Sequence, residues 1–276
     1  MKEKLYTIEV MDALKAGDEC PCCYLERKIE QDTISFVLGA SYMEDDIRAA
    51  TDQAGFCRHH TKMMYDYGNS LGNAWILKTR MVHIRKQLAA QAQGKMTAAV
   101  DRNGPIAGIP GGKQSIFSKF LGTGGSGKAG ARSGSGKTGN GKSDWMKASE
   151  ETCYVCRKFE DTYGRIIRTF LHLIQTEPDF LNQLKASKGF CLPHFADLLS
   201  ACEETFTGKE AEAVIPQLYQ LMEENLDRIQ ADIDWFVDKF DYRNQDADWK
   251  TSKDAIPRTM QKLVGSYPSD PVFKQK

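Results

Sequence analysis

The chain has 276 residues, 41% hydrophobic and 27% charged, proportions ordinary for a folded globular protein. Basic and acidic residues balance at 37 each, so no global field draws it to nucleic acid or to an anionic membrane. Wholesale disorder, collagen-like repeats and a multi-span membrane protein are excluded, and eight cysteines are too few for a small disulfide scaffold.

No export signal is read at the start, where Glu9 and Asp12 soon follow the charged opening residues, and no run of about 18 apolar residues occurs. The expected home is a reducing cytoplasm. There, clustered cysteines point to metal or catalysis rather than to structural disulfides.

In chain order, the first landmark is Cys20-Pro21-Cys22-Cys23, after which Leu25, Ile29, Ile34, Val37 and Leu38 keep helical spacing. Then come Gly55-Phe56-Cys57-Arg58-His59-His60 and an expected helix over about 71–91. Residues 94–143 hold 14 of the 23 glycines, eight basic residues and one acid, Asp101. Such sequence buries too little apolar surface to offset its ordering entropy, and reads as a flexible Gly/Lys/Ser-rich linker. Ile116, Phe117 and Phe120 form a short apolar patch within it. Its literal P-loop match, Gly136 to Ser143, lacks the preceding strand that a phosphate cradle needs.

Beyond the linker, Cys153-Tyr154-Val155-Cys156 opens a stripe of Phe159, Tyr163, Ile166, Ile167, Phe170, Leu173 and Ile174 at i, i+3, i+4 spacing. Thr176-Glu177-Pro178-Asp179 reads as a helix start with Thr176 as N-cap. Gly189-Phe190-Cys191-Leu192-Pro193-His194 follows, and a long helix is expected over about 210–240, its apolar face running from Leu218 to Phe240. No stretch shows sustained strand alternation. The fold class is all-α.

The landmarks recur. Thirty-three residues separate Cys23 from Cys57, and 34 separate Cys156 from Cys191. A shift of 134 also brings Leu25 onto Phe159, Glu26 onto Glu160, Phe36 onto Phe170, Asp45 onto Asp179 and Ile47 onto Leu181. The expected organisation is a first helical metal-binding repeat over 1–93, the linker over 94–143, and a second repeat over 144–276 with a long C-terminal helix.

A Cys-x2-Cys turn with a later Cys-x2-His supplies three thiolates and an imidazole, a set that closes a structural zinc site. Residues i and i+3 share a helix face, so Cys57 with His60, and Cys191 with His194, converge on one ion. The local assignment is one zinc on Cys20, Cys23, Cys57 and His60, and a second on Cys153, Cys156, Cys191 and His194. The alternatives are packed or redox thiols and an iron–sulfur cluster. Cys22 is an extra thiol that can replace Cys20 or Cys23, and His59 lies beside the first set. Cys202, His83 and His172 read as packing residues. Glu26 and Glu160 are either partners for the imidazoles or exposed helix residues. The clusters Tyr42 to Arg48 and Lys239 to Asn244 each combine acids, an aromatic and an arginine, and read as sets that cap helices and tie them through Asp–Arg pairs, with ligand binding the alternative.

At these residues the chain resembles an uncharacterised bacterial family, mostly from clostridia-like organisms. Its members share a Cys-Pro-x-Cys start, Gly-Phe-Cys-x-x-His, a second copy of both, and a late Lys-Phe-Asp-Tyr-Arg-Asn, here Lys239 to Asn244. The second Cys-x2-Cys, at Cys153, lacks the proline. The resemblance implies no activity. Some members carry the label of an ABC-transporter substrate-binding protein, against which stand the missing export signal, the missing lipoprotein cysteine and the absent α/β alternation.

The expected function is a zinc-stabilised helical binding or scaffold protein with no reaction of its own, its partner a protein or a small molecule held between the repeats. The alternative is a redox or metal-handling protein in which the Cys3His sites, Cys22 and His59 do the chemistry.

Overall fold

A computed structural model describes residues 6–102 and 152–265. The described residues form ten α-helices and no strand. These are α1 (Thr7–Lys15), α2 (Pro21–Gly39), α3 (Asp45–Ala54), α4 (Arg58–Tyr67), α5 (Ser70–Arg102), α6 (Tyr154–Thr176), α7 (Phe180–Lys185), α8 (Leu192–Thr205), α9 (Lys209–Asp238) and α10 (Ala255–Val264). The all-α expectation holds.

The apolar stripes do what their period requires. On α6, Ile166, Ile167, Phe170 and Leu173 are buried, and Phe170 stands against Phe180 and edge-on to Phe190 at ring distances of 6.0 and 5.9 Å. This core continues through Val10, Ala13 and Leu25 on one side of the sequence and Leu198, Leu218 and Met222 on the other. A second core gathers Ile34, Val37, Leu38, Met63, Met64 and Ile76 with Tyr154 and Val155. Both cores therefore draw on both sides of residues 94–143, and α2 packs directly on α6.

Three local expectations change. The helix expected over 71–91 continues to Arg102. The run Ala89 to Val100 contains four further alanines and a single glycine, and such sequence propagates a helix more readily than it breaks one. The rest of the expected linker, with Ile116, Phe117, Phe120 and the P-loop match, lies outside the described residues.

Thr176 does not cap a new helix. It is the last residue of α6, its hydroxyl donating to the His172 carbonyl at 2.8 Å, while Asp179 stands at the N-cap of α7.

The shift of 134 also places Phe36, 54% exposed, against Phe170, fully buried. A shift of 133 instead matches Ile34 with Ile167, Val37 with Phe170 and Leu38 with Leu171, all buried. It is set where α2 and α6 begin, because Cys20 and Cys153 are their N-cap residues with similar extended backbones, φ −149° and −146°.

Candidate metal centre

Each ligand pair sits at the start of a helix. Cys20 and Cys23 open α2, and the Cys20 sulfur accepts the Cys23 N–H at 3.4 Å. Cys153 and Cys156 open α6, Cys57 and His60 open α4, and Cys191 and His194 open α8. Before each Cys-x2-His pair the chain turns through a glycine at positive φ, Gly55 at 67° and Gly189 at 71°. That region is open to glycine at little cost. The phenylalanine that follows packs inward at Phe190, which is fully buried, and beside Tyr154 at Phe56.

All eight expected ligands are brought together, but the partition is a different one. Cys20 and Cys23 meet Cys191 and His194, while Cys57 and His60 meet Cys153 and Cys156. The local assignment, each repeat closing its own site, is thus overturned. The reason lies in the helix directions. The packing of α2 on α6 carries the start of each toward the Cys-x2-His helix of the other half, and the Cys153 turn is fixed by the Tyr154 N–H donating to the Gly55 carbonyl at 2.9 Å.

In the first cluster His194 Nδ1 lies 3.5 Å from the Cys20 sulfur, 3.5 Å from Cys23 and 3.1 Å from Cys191, with Cys23 and Cys191 sulfurs 3.6 Å apart. In the second, His60 Nδ1 lies 3.1, 3.3 and 3.4 Å from Cys57, Cys153 and Cys156, and the Cys57 and Cys156 sulfurs are 4.0 Å apart. A tetrahedral zinc with Zn–S about 2.3 Å and Zn–N about 2.0–2.1 Å sets edges of about 3.8 Å between sulfurs and about 3.5 Å between sulfur and nitrogen. The donors match those edges within a few tenths of an ångström. One Nδ1 offers a single proton or a single lone pair and cannot bond three sulfurs at once. A central cation satisfies all four donors.

The protonation of the bare clusters points the same way. Burial opposes charge on His60, yet Cys153 and Glu30 hold its pKa up at about 10, and Cys20 and Cys23 do the same for His194, also at about 10. Burial pushes the Cys153 thiol up, but His60 and the backbone N–H groups of Cys156 and Cys57 bring it down to about 6. Cys156 is raised by burial and by the Cys153 charge, and Cys191 by Cys20 and Cys23. Without a cation the Cys153 thiolate and the His60 imidazolium favour one another, and the Cys153 charge opposes a further thiolate at Cys156.

The outward nitrogens have carboxylate partners on a single helix. His60 Nε2 pairs with Glu30 at 2.9 Å, and His194 Nε2 faces Glu26 at 3.7 Å, both acids on α2. A carboxylate there fixes the ring so that Nδ1 faces the three sulfurs. Glu26 thus fills its expected role loosely. Glu160 is exposed, and Glu30, which had no counterpart in the repeat, makes the closer contact. His59 is exposed and 3.8 Å from Glu30, so that Glu30, His59 and His60 also form a small group of donors. Cys22 lies outside both clusters and is fully buried, its thiol pushed up by Cys20 and by burial. Cys202 is a core residue, burial raising it to about 12.

One arrangement had no signal in the sequence. Glu19, 4% exposed, takes Arg228 on both carboxylate oxygens at 3.2 and 2.5 Å, with Lys262 Nζ 3.5 Å away. Lys262, 1% exposed, donates to the carbonyls of Glu19, Lys188 and Phe190 and roots α10 beside the first cluster. By contrast, Lys239 to Asn244 is a helix stop, as expected. Lys239 Nζ donates to the carbonyls of Asn244, Gln245 and Ala247 at 2.6–2.8 Å, and Asn244 closes back on Asp238. Arg48 likewise donates to the Tyr42 and Met43 carbonyls and pairs with Asp45.

Fold and site together define an all-helical protein with two Cys3His groups able to hold metal ions, each assembled from both halves of the chain. The chain belongs to DUF6062, a family of unknown function, whose model matches residues 1–270. No curated protein and no solved structure matches it.

Proposed function

We propose that the protein is a zinc-stapled helical scaffold of the reducing cytoplasm, whose two ions tie an internally duplicated chain into one body that presents a binding surface and carries out no reaction. The observation that carries the reading is the donor set itself. Two groups of three sulfurs and one imidazole nitrogen stand at tetrahedral edge distances, each with two ligands from either side of residues 94–143. Four protein ligands per site leave no position for a substrate or an activated water, which argues for closure rather than hydrolysis. The partner is a protein or a small molecule.

Metal analysis of untagged protein purified without oxygen tests this. Two zinc ions per chain, no visible absorbance and a melting temperature lowered by a strong chelator are expected. Iron with sulfide and absorbance near about 400 nm moves the function to redox chemistry. A metal-free chain that melts at the same temperature with and without zinc overturns the stapled scaffold.

A further inference from the structure

The two clusters differ in how they meet solvent. In the first, Cys20, Cys23, Cys191 and His194 are 0, 3, 0 and 7% exposed. The end of α10 lies over them, since a Cβ on Gly265 would stand 3.6 Å from the Cys191 sulfur and 3.9 Å from that of Cys23. Lys262 anchors that cover through its three carbonyl bonds. In the second cluster Cys153 is buried, its sulfur 3.3 Å from His60 Nδ1. Cys57 and Cys156 themselves are only half-buried, with sulfurs 4.0 Å apart.

We propose that Cys57 and Cys156 are a peroxide-reactive pair: hydrogen peroxide oxidises them to a disulfide, and the second cluster releases its ion while the first keeps its own. The inference rests on the metal reading above and adds a modification site and a class of oxidant. Thiolate character and access to solvent together decide which cysteines a peroxide reaches.

The chemistry balances. One thiolate attacks a peroxide oxygen, the O–O bond breaks, and a sulfenic acid and a hydroxide form. The second thiolate attacks that sulfur, the S–O bond breaks and a second hydroxide leaves. Two electrons pass from the sulfurs to the peroxide, and two protons from solvent turn both hydroxides into water. The ion retains Cys153 and His60 alone, half of its protein ligands, and dissociates.

The test uses the full-length zinc-loaded protein, graded hydrogen peroxide, a zinc-binding dye and mass spectrometry after thiol blocking. About one zinc per chain is expected to leave, together with a peptide pair linked through Cys57 and Cys156, while Cys20, Cys23 and Cys191 remain as thiols. A reductant with added zinc should restore the second ion. Release of both ions at equal rates, a first link between Cys23 and Cys191, or oxidation with no zinc released overturns the proposal and leaves the metal reading standing. A chain that binds no zinc before peroxide is added overturns the metal reading, and the proposal falls with it. Because the linkage is read on the unaltered chain, nothing depends on a variant that must fold.

Discussion

If the clusters are assembled across the chain, Cys20 and His194 serve one ion, and Cys20 and Cys57 serve two. Pairs of substitutions separate this from local assembly by counting metal. Cys20→Ser and His194→Ala, alone or combined, should each leave one zinc per chain, because all three variants damage the same group. Cys20→Ser combined with Cys57→Ser should leave none. Local assembly reverses these numbers, giving zero for the first double variant and one for the second. Energies should follow the counts. At free zinc 100-fold above Kd, each emptied site removes about 2.7 kcal/mol. For an ordered body of 150–250 residues that corresponds to a fall in Tm of roughly 5–11 °C. Atomic emission on purified variants reads the count, and calorimetry at fixed free zinc reads the energy. A zinc count of one for Cys20→Ser with Cys57→Ser would refute the cross-chain clusters.

Glu30→Gln should weaken the second site about 10–100-fold by removing the carboxylate that orients His60, and Glu26→Gln should do less at the first site because its contact is longer. Competition with a chromophoric chelator measures both. Phe190→Ala should cost about 3–5 kcal/mol, since the ring is fully buried between Phe170 and the first cluster, and urea unfolding at fixed zinc checks it. In the metal-free protein, His60 is raised from 6.5 to about 10, a contribution present below pH 6.5 and lost as pH rises to about 10. Cys153 is lowered from 9.0 to about 6, a contribution present above pH 9 and lost as pH falls to about 6. Their sum is level between about pH 6.5 and 9 and declines above 9, which melts in chelator across that range would show. Zinc affinity should rise with pH over the same window, because binding displaces the imidazolium proton of His60 and the thiol proton of Cys156.

The helices and the candidate ligands were legible because both follow from short spacings. An i, i+3, i+4 stripe such as Tyr163 to Ile174 defines a buried face, and Cys191 with His194 necessarily share a helix turn. The same spacings do not carry the pairing. Residues three apart define half a site, and which halves meet depends on how α2 packs against α6. The register failed for a related reason. Matching residue types favoured Phe36 on Phe170, whereas the helix caps place Val37 there. Glu19, Arg228 and Lys262 are common charged residues with no spacing that announces a partner, so their burial together was invisible.

The two clusters are nested along the chain like brackets within brackets. The inner one joins Cys57 to Cys156 across a sequence separation of 99, and the outer joins Cys23 to Cys191 across 168. Once the inner tie is made, the outer loop shortens to (57 − 23) + (191 − 156) = 69 positions. The closure cost of the outer site then falls by (3/2)RT ln(168/69), about 0.8 kcal/mol. The nascent chain presents its ligands in the same order, since Cys156 leaves the ribosome before Cys191 and His194. Entropy and synthesis therefore favour one sequence of events, in which the half-exposed cluster closes first and the one beneath α10 is sealed last.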